Sequence, residues 1–203
     1  METKHQAFEE MLASARKRLE HRRPEELAQK SGSIYDLENR MIRLTSLGQS
    51  ISIRLPSYEF EQPVREWHQL VILHYLDLAD QTPVSEEQIT FGNLKDGLIR
   101  GTKFDHTMDR ELTVFLKNKS EDQILRIIKA CGGRIMPSNA DICARFDFLP
   151  CYPLWLKIWL ADEEFDASGK VLLSKSADHY LTIEDAVTVG DVFLERIKSV
   201  PCL

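Results

Sequence analysis

Four carboxylates fall within five residues at Asp162, Glu163, Glu164 and Asp166, with Phe165 between them. Side chains this close repel one another, and water, a basic partner or a hard cation relieves that repulsion. The spacing lacks the alternating ligands and the fixed glycine of a calcium loop. The default expectation is a solvated turn whose acids pair with Lys157 or Lys170, and whose Phe165 ring is buried as an anchor. The sharper one is a ligand or partner site at Asp162, Glu163 and Glu164. A second constellation is His179 followed by Glu184 and Asp185. A histidine beside a carboxylate can act as a base near neutral pH. The plainer reading is a surface histidine ahead of a helix whose first-turn acids offset the helix dipole. A ligand-binding recess is expected if the acidic segment folds back beside Glu184 and Asp185.

The remaining histidines read more quietly. His106 lies between Asp105 and Asp109, where a helix sets it near one or both acids. No H-x-x-x-H or E-x-x-H pattern accompanies it, so the solvated face of an amphipathic helix is the default. His68 and His74 sit on one apolar helix six residues apart, about 120° from each other around its axis. They do not share a metal at that angle, and each reads as a core histidine with one hydrogen-bond partner. No catalytic residue, metal site or cofactor is assigned. Phosphate-loop, dinucleotide, nucleophile-elbow and zinc-protease signatures are absent.

These residues need elements to position them. A helical N-terminal arm is expected over 1–32, with Phe8, Met11, Leu12, Ala15 and Leu19 as its apolar stripe. Pro24 suits a second helix start, and Gly32 its stop. A single α+β domain is expected over 33–203. Its strands are read at 41–45 and 51–55, turning through Gly48-Gln49, then at 142–148 and 154–160. Between and after them come helices at 64–79, after the breaks at Gly97 and Gly101, and at 120–130. Ser120 with Gln123 forms a capping box there. The closing helix carries Thr182 and Asp185 as its capping box and a stripe through Gly190. The fold class is therefore α+β: antiparallel hairpins packed against several helices, with a long C-terminal helix.

With 203 residues, the chain is long enough for a core without staples. Its net charge of −6 and pI near 5.6 argue against a nucleic-acid partner. The basic cluster Arg16, Lys17, Arg18, Arg22 and Arg23 is diluted by neighbouring glutamates. Cys131, Cys143, Cys151 and Cys202 form no C-x-x-C pair, and no apolar run reaches a membrane span. A cytoplasmic chain with reduced thiols is expected.

Several runs carry a family resemblance. They are Leu73-His74-Tyr75-Leu76, Ile89-Thr90-Phe91, Gly132-Gly133, Phe148 to Pro153, Trp159 to Phe165, and Tyr180 to Asp185. Together they resemble a bacterial family of unknown function common in strict anaerobes. Its members sometimes stand beside, or fused to, iron–sulfur or corrinoid-related modules. The resemblance implies an uncharacterised accessory domain with a small-molecule or protein partner, and it carries over no catalytic residue. Two other readings stand beside it. One is a metal-dependent enzyme drawing on the same carboxylates with His106 or His179. The other is a structural protein, dimeric through its basic N-terminal helix.

Overall fold

The computed structural model describes residues 2–201, with side chains from Gln6 onward; Cys202 lies outside the described residues. The chain runs α1 (Glu2–Leu19), α2 (Pro24–Ser31), β1 (Ile34–Asp36), β2 (Met41–Ser46), β3 (Gln49–Arg54) and β4 (Glu59–Phe60). It continues through α3 (Glu66–Leu78), β5 (Gln88–Ile89), α4 (Gly97–Leu116), α5 (Glu121–Ala130), β6 (Arg134–Ile135) and β7 (Ile142–Leu149). The last elements are β8 (Tyr152–Trp159), β9 (Ser168–Ser174) and α6 (Ile183–Lys198). The first four strands form an antiparallel meander, and the other five a sheet in the order β5-β9-β8-β7-β6. All pairings are antiparallel. The α+β class is thus the observed one.

The helical N-terminus does not stand apart from the rest. Phe8, Leu12, Ala15, Leu19 and Leu27 join the same core cluster as the sheets and α6. Met11 is the exception in the expected stripe, at 40% exposed. Of the basic cluster, Arg18 and Arg22 both bind Asp77 on α3 at 2.9 Å, which docks α1 along that helix. Gly32 closes α2 with φ +64°, the left-handed conformation that favours glycine.

The two sheets meet at the β2–β3 turn. Its residues are Leu47 and Gly48, both at positive φ, one residue earlier than the sequence suggests. The Leu47 amide donates to Asp147 O at 3.0 Å. Beside it, the buried Ser46 hydroxyl donates to Phe148 O at 2.5 Å and accepts from His68 Nε2 at 2.8 Å. One serine therefore links β2, β7 and α3.

The long hairpin follows its alternation. Ile142 pairs with Ile158, Ala144 with Leu156, and Phe146 with Leu154, so all six share the inner face. On the outer face Trp155 is nevertheless buried, among Cys143, Leu172 and Met136 and beneath the Arg145 guanidinium. Trp159, four residues on, stays 36% exposed.

One expectation fails at α4. Gly101 does not break the chain; it lies inside the helix, which starts at Gly97. A Cβ on Gly101 would stand 2.1 Å from Phe91 O, and one on Gly97 2.3 Å from the same atom. The glycines let α4 touch the backbone of the 3-10 turn at Phe91–Asn93. Asp105 locks that contact, accepting from Phe91 N at 3.0 Å and Gly92 N at 2.9 Å.

The Tyr152 hydroxyl is buried with no hydrogen-bond partner among the described residues. Burial, then the nearby Asp178 and Asp185 charges, push this phenol far above its ordinary pKa. An unpaired buried hydroxyl costs about 1–3 kcal/mol. Tyr152→Phe is therefore expected to leave stability unchanged or raise it by up to about 1 kcal/mol. A loss above about 1 kcal/mol in urea denaturation would show that the hydroxyl has a partner in solution.

Candidate functional site

The structure separates the two predicted stretches. Asp162, Glu163 and Glu164 lie beyond the C-terminal end of α4, in a turn beside a cavity lined by Leu116, Lys117, Leu160 and Asp166. Glu184 lies at the other end, where it meets Arg100 at 3.2 Å. From Arg100 to Leu116 the helix rises roughly 24 Å at 1.5 Å per residue. No common recess joins them.

The acidic turn is closed by its own backbone. Asp162 Oδ1 accepts from the amides of Glu164 and Phe165, both at 2.8 Å, and these bonds hold its carboxyl below the ordinary range. Phe165 is 69% exposed, so the expected anchor is not buried; the turn holds without it. Among the described residues Glu163 and Glu164 form no ion pair, and the expected bridges to Lys157 and Lys170 are not made. Lys170 faces Asp109 instead, where burial raises the carboxyl and the lysine opposes the rise.

His179 turns away from Glu184 and Asp185. Its Nδ1 meets Asp80 Oδ2 at 2.8 Å and Thr82 Oγ1 at 3.0 Å, at a half-exposed position. His106 is exposed, and its neighbour Asp105 is occupied by the 3-10 turn.

Asp185 does what its position predicts and something more. With Thr182 it completes the capping box of α6. Its Oδ2 accepts from the Thr182 hydroxyl at 2.8 Å, while Oδ1 meets His74 Nδ1 at 2.6 Å. Burial pushes this carboxyl up, but the His74 and Thr182 bonds outweigh it and hold it below its ordinary value. The carboxylate places the proton of a neutral His74 on Nδ1, so Nε2 presents a lone pair. Nε2 has no hydrogen-bond partner among the described residues.

His74 forms part of a groove of about 940 Å³ between α3 and α6, walled on one side by Met11 of α1. Trp67 lies one heptad before His74 on α3 and is 49% exposed, braced edge-to-face by Phe8 at 5.4 Å. Leu70, Val187 and Leu194 add apolar surface. Arg65 bridges to Glu195 at 2.5 Å along the same wall. At Asp191, burial and then Glu195 raise the carboxyl, against the opposing charge of Arg100.

The sequence reading of His74 as a core histidine misses its place in the groove, which it shares with Trp67. Their spacing of seven does carry a signal, since it puts both on one helical face. What no spacing reveals is that α6 lays Asp185 against that face.

An oriented imidazole beside an exposed indole can bind a ligand or exchange a proton with it. A histidine held by a carboxylate is also the arrangement found behind metal ligands. Among the described residues, however, no three His, Cys, Asp or Glu side chains gather closely enough to hold a metal ion. The convergence required by the metal-dependent reading is thus not seen there. Nor is any helix among these residues long and apolar enough to cross a membrane.

Fold and groove together define an α+β domain of two antiparallel sheets clasped by helices, with one histidine–aspartate pair at a helix–helix groove. Residues 23–196 match DUF3786, described as a domain of unknown function, and the chain belongs to that family. The match takes in α2 but leaves out α1, the helix that bears Met11. No curated protein and no solved structure matches the chain.

Proposed function

We propose that this domain binds a small ligand in the groove between α3 and α6, as an accessory domain beside cofactor-using proteins of anaerobic metabolism. The observation that carries the binding reading is the His74–Asp185 pair facing a groove that also exposes Trp67. Binding sites combine apolar surface with a few fixed polar groups; this groove has an apolar floor with charged residues around it. The capping box holds Asp185, and Asp185 holds His74, so the polar anchor is oriented before any ligand arrives. The accessory role is supported by the sequence runs that resemble a family found near iron–sulfur and corrinoid-related modules.

A second reading rests on the same pair. With its proton on Nδ1, His74 can accept another at Nε2, which makes it a base for a bound substrate. Among the described residues no serine or cysteine lines the groove, so binding remains the first reading.

The test is a ¹H–¹⁵N NMR screen of the full chain with small amines, carboxylates and aromatic heterocycles. Shifts gathered at the Trp67 indole, His74 and Val187 are expected for at least one class. His74→Asn should weaken that binding about tenfold, the loss of one oriented hydrogen bond of about 1.4 kcal/mol. A screen in which no probe moves these signals would remove the groove as the site.

A further inference from the structure

Beyond the Arg65–Glu195 bridge, a second and smaller cavity of about 240 Å³ lies between the β2–β3 turn, the start of α3 and the end of α6. Its chemistry differs from that of the groove. The charged residues lining it are Arg65 and Arg196; no carboxylate lines it among the described residues. Gln49, His68 and Ser199 supply its other polar side chains.

Arg196 is the unusual member. It makes no ion pair among the described residues, although it is partly buried. Its Nη2 donates to Ala130 O at 3.1 Å, which fixes the guanidinium, and its Nε is buried without a partner. A part-buried guanidinium lacking an acid retains much of its desolvation cost. His68 is 7% exposed, and its ring uses Nε2 on Ser46. The single Ser46 proton goes to Phe148 O, so Nε2 is the donor and Nδ1 keeps a lone pair with no hydrogen bond among the described residues. The cavity also adjoins the N-terminus of α3, a helix of 13 residues whose N-cap, Arg65, provides no side-chain cap. A helix start favours negative charge, part of which Glu66 in the first turn already supplies.

The geometry points to this cavity as an anion site, taking the carboxylate or phosphate head group of a small molecule between Arg65, Arg196 and the first turn of α3. The guanidinium groups meet oxyanions with paired donors, and His68 Nδ1 accepts from a hydroxyl or a protonated oxygen on the same ligand. The site borders the His74 groove, with Arg65 and Val192 lining both, but it does not rest on that reading.

The experiment is a titration of the ¹⁵N-labelled full chain with inorganic phosphate and, separately, acetate, each at constant ionic strength against chloride. The reporters are the His68 imidazole nitrogens and the amides of Trp67, His68 and Ser199. Saturable shifts at these positions are expected with one or both anions, and the tighter arm identifies the head group. Arg196→Gln and Arg65→Gln should each weaken binding about tenfold or more, matching the loss of one charged hydrogen bond of at least about 1.4 kcal/mol. Should Arg196→Gln fold poorly, Arg65→Gln alone decides. Shifts that merely follow chloride, or variants that bind as the wild type does, would overturn the site. Signals from His74 and Val187, which line the groove and not this cavity, report the groove independently, so failure of one site is distinguishable from failure of the other.

Discussion

Gly101→Ala is expected to destabilise the protein by about 3 kcal/mol or more, where helix propensity alone promises a gain of about 1 kcal/mol. The sign reverses because the new methyl group would meet backbone. Its Cβ would lie 2.1 Å from Phe91 O, 2.4 Å from Phe91 C and 2.8 Å from Gly92 N. A side chain in the way can rotate, but a carbonyl cannot. Nor can the 3-10 turn retreat freely, because both Asp105 oxygens hold it to α4. Gly190 makes a useful contrast. Its nearest obstacle is the Phe104 ring, at 2.4 Å, and a ring edge has room to adjust. Urea denaturation of the two alanine variants should rank Gly101 as the costlier. A Gly101→Ala protein as stable as the wild type would mean that α4 and the turn are not in contact.

Acidification is expected to remove about 3 kcal/mol of stability between pH 6.5 and pH 4 through His68 alone. Burial lowers its pKa from 6.5 to about 4. Within that window the unfolded chain binds a proton at His68 and the folded chain does not, so stability falls as pH falls. Above pH 6.5 the ring is neutral in both states; below pH 4 both are protonated and the loss stops growing. Asp185 has the same sign but acts lower. Its carboxyl is held below the ordinary value of 3.8, so its contribution is present above that value and disappears beneath it. The check is a pair of stability–pH profiles for the wild type and His68→Gln. The difference between them should change by about 3 kcal/mol from pH 6.5 to pH 4. Parallel profiles would show that His68 is not buried in a neutral state.

Much of the fold could be read from local pattern. Both capping boxes, Ser120 with Gln123 and Thr182 with Asp185, form as their spacing implies. The β7–β8 alternation gives the hairpin and its inner face, and Gly32 ends its helix. These signals are short in range, and the physics behind them is short in range too. Gly101 misleads for the complementary reason. Glycine opens space for close approach as readily as it ends a helix, and only the position of Phe91 tells the two apart.

The site was legible only in pieces. Asp185 stands out through its cap, yet its second oxygen serves a histidine 111 residues away in sequence. Asp162 to Asp166 stand out through charge density, yet their turn is satisfied by two of its own amides. Long apolar helices hide the rest. On α3, Leu73 and Tyr75 are fully buried while His74 between them reaches the groove, a distinction created by what packs on each side.

Asp185 divides its two oxygens between the start of α6 and His74. A molecule that tugs on the imidazole therefore also tensions the opening turn of that helix. Occupancy should then be readable at a distance: amides along the first turns of α6 would exchange with deuterium more slowly when the groove is filled, even those no ligand touches.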